Sequence, residues 1–178
     1  MAIILVLAGL ILATSGYVQN KGRRSRAEAE IAAISAALEN YKADNGIYPR
    51  DSKTDALAAD ADPDGGNPGT FVDSSKSLYK ALSGDSDGDP TTSTASDTKN
   101  YFGGALKPTM LSPNPPAAET FIRDPFGYSY GYSTIKAAAP TGANGYNPTY
   151  DLWSTSGETG KKSGETFATY QQRWIKNW

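Results

Sequence analysis

Three aspartates at alternate positions, Asp85, Asp87 and Asp89, have the spacing in this chain that comes closest to a chemical site. Alternating carboxylates open many calcium loops, because a hard dication collects about 6–8 oxygen ligands. An EF-hand loop also needs glycine at its sixth position and glutamate at its twelfth, where this chain has Pro90 and Ser96. A looser Ca²⁺ site, joined by Asp97, stays open beside the plainer reading of a solvated acidic loop. The chain has no histidine and no cysteine. That removes the commonest general base, thiolate metal ligands, disulfides and cysteine catalysis. A glycosidase working with carboxylates alone is formally open, but no acid pair stands out, and no nucleophile motif or phosphate-cradling glycine loop is present. Catalytic chemistry is not expected.

The elements that would hold such residues begin with an uncharged apolar run, MAIILVLAGLILATSGYV, followed by a basic cluster of Lys21, Arg23, Arg24 and Arg26. A membrane span takes about 20 apolar residues, so the run is borderline. No Lys or Arg precedes it, unlike a secretory signal peptide. Ile3, Ile4, Leu5, Leu7, Leu10, Ile11 and Leu12 are the residues expected to pack in a membrane or against other helices. The positive-inside rule would put residues 21–26, and a following domain, on the cytoplasmic side. A belt of basic side chains reaching the lipid interface accounts for them equally well.

From Arg26 onward Ile31, Ile34, Leu38 and Tyr41 recur at helical spacing and form one apolar stripe, expected to pack against a sheet. Six alanines between residues 27 and 37 favour helix and allow close approach. Glu28 and Glu30 lie at short helical spacing from the basic cluster, so Arg23, Arg24, Arg26, Glu28 and Glu30 could pair within the helix or between subunits. Asn45-Gly46 and Pro49 end the helix, which is expected to run from near residue 2 to Asn45.

With 18 glycines and 11 prolines, the rest reads as one loop-rich domain. The segment 46–120 is expected to be variable, residues 50–120 forming an insertion that decorates the common core, with a short helix in SSKSLYKAL capped by serine at its start and by Gly84 at its end. Residues 121–178 carry the strand signals. Tyr128, Tyr130 and Tyr132 alternate with small residues and continue to Ile135, and TYDLWS follows a Gly/Pro-rich turn. An antiparallel pair results; Trp174 and Trp178 would pack on it or on a neighbouring subunit, and Asp124-Pro125 would form a turn. The expected fold is α+β: a long helix, residues 1–20 apolar and 21–45 amphipathic, packed on a small antiparallel sheet.

The run ALENYKADNGIYP resembles the type IV pilin superfamily, most closely the major pseudopilin of type II secretion systems. FIRDPFGYSYGY, YDLWSTSGE and WIKNW resemble that family's later motifs, in the same order. Aligned backward from YKADNG, Met1 falls roughly ten residues inside the family's mature helix, so the chain is expected to be truncated or to start at a misassigned methionine; the missing residues would complete a span. The resemblance implies a pilin-like fold and a single-pass inner-membrane protein with its C-terminal domain in the periplasm. It also implies processing and methylation by prepilin peptidase, and self-assembly with minor pseudopilins on an inner-membrane platform. Family members bind Ca²⁺ after the Asp-Leu-aromatic-Ser strand. Here only Glu158 stands where an acid is expected, beside Arg173, Lys161 and Lys162, so this site is expected to be lost and Glu158 to be a surface acid.

The function implied is that of a pseudopilus subunit aiding export of folded proteins. The alternative is a surface pilin or adhesin whose segment 50–120 contacts a ligand. With no basic stretch beyond residues 21–26, a nucleic-acid role has no support.

Overall fold

The computed structural model describes the backbone of residues 2–60 and 69–178, and side chains from Gly16 onward within that range. Its architecture is α+β, a long helix with two small antiparallel sheets. Helix α1 runs Ala2–Asn45 and ends where Gly46, at φ 80°, donates its N–H to the Lys42 carbonyl at 2.7 Å. An αL residue after the last turn satisfies a carbonyl the helix leaves open, and glycine takes that conformation without a Cβ clash. Among the described residues, no helix is long and apolar enough to cross a membrane.

Short helices and strands follow in order: α2 (Ser52–Ala56), α3 (Val72–Ser83), β1 (Leu111–Ser112), β2 (Phe121–Ile122), β3 (Gly131–Ser133), α4 (Ile135–Ala138), β4 (Asp151–Ser154), α5 (Phe167–Gln171) and β5 (Ile175–Lys176). Strands β1 and β2 form one sheet; β3, β4 and β5 form the other, with β4 in the middle. Tyr132 pairs with Leu152, and Gly131 with Trp153.

Three local expectations are corrected. Ile135 does not extend the tyrosine strand. Thr134 instead bonds to Thr54 and Asp55 of α2, and the chain turns into α4. The helix over SSKSLYKAL begins earlier, at Val72, without a serine cap. Ser74 Oγ donates to the Phe71 carbonyl and Ser75 Oγ to the Ile122 carbonyl, so both hydroxyls serve other bonds. Gly84 does end that helix, at φ 79°. Finally, segment 46–120 does more than decorate the core, since Leu78, Tyr79 and Leu82 of α3 are buried in it and α3 packs on β2 and β3.

Every residue of β4 is buried, so the strand faces apolar surroundings on both sides. Alternation of side chains sends successive residues to opposite faces. Leu152 joins Ile31, Ile34, Leu38, Tyr130 and Tyr132 in the core against α1. Trp153 joins Phe71, Tyr170 and Trp174 in an aromatic cluster, its ring parallel to that of Trp174 with centroids 6.0 Å apart. Trp178 packs edge-on against Trp153 and stacks on Tyr146. The tyrosine row is therefore core at Tyr130 and Tyr132.

The cross-strand partner of Trp153 has to be glycine. A Cβ on Gly131 would lie 2.1 Å from Trp153 Cε2. Gly131→Ala is expected to cost about 1–3 kcal/mol through overpacking. It should also alter the tryptophan near-ultraviolet circular dichroism, measured together with a denaturant melt.

Candidate functional site

The site lies where α1 leaves the body. Residues 16–23 of α1 are exposed, and burial begins at Ala27. Ile31, Ile34 and Leu38 are buried against the body, as the stripe predicts, while Tyr41 is half-buried against the same core and tilts against Tyr101. The other faces of this stretch, including Ala29, Ala32 and Ala36, are exposed. The side chains of Ile3, Ile4, Leu5, Leu7, Leu10, Ile11 and Leu12 lie outside the described residues.

Charged groups fix the helix at this exit. Arg24 Nη1 donates to Ser156 Oγ at 2.9 Å and to the Arg173 carbonyl at 2.8 Å. Arg26 Nε donates to Glu30 Oε1 at 2.7 Å and its Nη2 to Thr109 Oγ1 at 3.1 Å. Glu30 is buried, and its second oxygen accepts from the Tyr130 hydroxyl at 2.8 Å. Burial, then the Glu30 charge, pushes the Tyr130 phenol far above its ordinary value. Of the five charges singled out in the sequence, Arg24, Arg26 and Glu30 thus serve the chain's own fold. Arg23 and Glu28 are exposed, and neither has a partner among the described residues. Nearby, Asp124 accepts from the N–H groups of Phe126 and Tyr128 and from Ser154 Oγ, forming the expected turn. Its burial pushes the carboxyl up.

The aspartates after α3 cap their own loop. Asp85 Oδ1 accepts from the Gly88 and Asp89 N–H groups and its Oδ2 from the Tyr79 hydroxyl. Asp87 accepts from the Asp89 N–H and Thr92 Oγ1, Asp89 from Thr91, and Asp97 from the N–H groups of Ser86 and Thr94. Among the described residues, no group of three or more acidic side chains converges to hold a metal.

Glu158 is not a free surface acid. Arg173 Nη2 donates to Glu158 Oε2 at 3.2 Å and to Glu165 Oε2 at 3.0 Å, and its Nη1 bonds Glu165 as well. The guanidinium occupies the space between two carboxylates and ties the loop after β4 to the C-terminal segment. Its charge, with the Lys162 N–H, pulls the Glu165 carboxyl down to about 2. Glu165, the second partner of Arg173, is marked in the sequence only by its position eight residues before that arginine.

Glu30→Ala would strand the buried Tyr130 hydroxyl and is expected to lower stability by about 1–3 kcal/mol in urea unfolding, with Glu30→Gln costing less. Arg173→Ala should speed tryptic cleavage after the exposed Lys161 and Lys162 while the core melt changes little. The Glu165 carboxyl is depressed on folding, so its contribution is complete above its unperturbed value of 4.5 and is lost as pH falls toward 2. Cleavage by an acid protease at residues 158–165 should therefore rise across that window. No protein-family model matches the chain, and comparison with curated proteins and with solved structures finds no significant match, so the geometry carries the functional reading.

Proposed function

We propose that the chain is a structural filament subunit with a pilin-like fold, a pseudopilin of a type II secretion pseudopilus, and not an enzyme. One observation carries this reading: a 44-residue helix docks on an α+β body by a single stripe of its second half and leaves residues 16–23 exposed. A helix with apolar residues 2–12 and an exposed exit suits storage in an inner membrane and later packing against copies of itself. Burial of apolar area among helices replaces contact with lipid, and the bodies coat the outside. The order of sequence motifs supports the same family. Prepilin peptidase, minor pseudopilins and an inner-membrane platform are the partners this function requires, with the body in the periplasm. This function needs no Ca²⁺ at the loop after β4, where Arg173 supplies the positive charge between Glu158 and Glu165.

A second reading, a surface pilin that contacts a ligand, is favoured by a cleft of about 470 Å³ between α2, α3 and the loop after α3. It is lined by Arg50, Lys53, Lys76 and Lys80, with Asp51, Asp73 and Tyr132.

Deleting the gene in the native cell is expected to stop export of folded proteins while shearing releases no fibres of this chain from wild-type cells. Shed fibres with normal export would favour the surface pilin. Export unchanged and the chain monomeric after cross-linking in intact cells would overturn both readings.

A further inference from the structure

Beside the helix exit lies a notch of about 330 Å³ lined by Arg23, Arg26 and Arg123, with Asp124 and Phe126. Arg26 and Arg123 are both held on Thr109, the first through its Oγ1 at 3.1 Å and the second through its carbonyl at 3.3 Å. Arg23 lines the same space with no partner among the described residues. Asp124 bonds none of the three arginines, since it is buried and its oxygens are taken by Ser154, Phe126 and Tyr128, and with Glu30 it makes at most two negative charges against three guanidiniums. Glu30 offsets Arg26 alone. Three guanidiniums thus meet with a surplus of positive charge, which a carboxylate from outside would relieve.

The same helix displays the complement. Glu28 is exposed and unpaired, because Arg24, its natural partner four residues earlier, is bonded to Ser156 and the Arg173 carbonyl. Five residues separate Arg23 from Glu28, about 140° around the helix, so Glu28 faces away from its own chain's notch. Resting on the filament reading above, we infer that Glu28 of one copy enters the Arg23–Arg26–Arg123 notch of the next copy. Two different patches meet, so the contact is heterologous and leaves a free notch at one end and a free Glu28 at the other; repeated, it builds an open fibre. An anionic lipid surface would satisfy the arginines but repel Glu28, only about 7.5 Å further along the axis.

The chain has no cysteine, which makes cross-linking in native membranes a clean test. Arg23→Cys combined with Glu28→Cys in the full chain should give a ladder of dimers, trimers and larger species on mild oxidation. Each single variant should give no more than dimers. Both residues are exposed and unpartnered, so the substitutions spare the core. Arg23→Glu and Glu28→Arg should each abolish fibres, and the two together should restore them. Fibres without a ladder and without rescue would overturn this contact and leave the filament reading standing. A wild-type chain that stays monomeric after amine cross-linking in intact native cells would overturn both. Loss of binding to phosphatidylglycerol vesicles in Arg23→Glu, with no ladder in the double variant, would assign the notch to lipid and overturn the contact.

Discussion

Burial of the α1 stripe is the constraint on which the rest of this structure depends. Ala27, Ile31, Ile34 and Leu38 occupy one side of a helix whose other sides stay exposed, so the body has to supply a complete apolar wall along that one side. It does so with α3, β4 and β5, which all contact α1. Each fully buried aliphatic side chain contributes about 1.5–3 kcal/mol, so a few positions hold the helix in place. The three-stranded sheet is covered on both faces, because successive side chains of β4 point to opposite sides and all four of its residues are buried. A second apolar layer behind β4, built from Trp153, Trp174, Phe71 and Tyr170, closes it from the other side. The narrow fit of Trp153 over Gly131 is a consequence of that two-sided burial.

At the end of the wall the chemistry changes from apolar to charged, and the charges do structural work. Glu30 can be buried because both its oxygens are taken, one by Arg26 and one by Tyr130. Leaving either oxygen bare would cost the desolvation of a carboxylate. Arg24 reaches the other way, to Ser156 and the Arg173 carbonyl, and Arg173 in turn holds Glu158 and Glu165. A continuous set of charge-assisted bonds therefore links α1 to the loop after β4 and to the C-terminus.

Much of this was legible in the residues. The 3.6-residue recurrence of Ile31, Ile34 and Leu38 located the stripe, Asn45-Gly46 located the helix end, and TYDLWS located the central strand. Those signals are local, since each depends on residues within a few positions of one another. The missed features are not local. Glu30 and Tyr130 are 100 residues apart, and nothing in either neighbourhood announces the bond. The turn at Thr134 is decided by α2, whose Thr54 and Asp55 take its hydroxyl, so alternation of tyrosines alone overran the strand. The serines before Leu78 looked like caps because serine suits that role, but the carbonyls of Phe71 and Ile122 captured their hydroxyls. Arg173 read as a charge that spoils a cation site, and in three dimensions it takes the cation's place between two acids.

The attachment of α1 to the body also has a mechanical meaning. Its contacts extend from Arg24 to Asn45 along the helix, about 32 Å at the rise of an α-helix. They run parallel to its axis. A pull on the helix from its N-terminal side therefore loads the arginine bonds, the aliphatic stripe and the contacts of Tyr41 and Asn45 with Tyr101 together, in shear. A sideways pull would instead peel them from Arg24 inward, one turn at a time. The joint is built to transmit axial tension and to yield to bending.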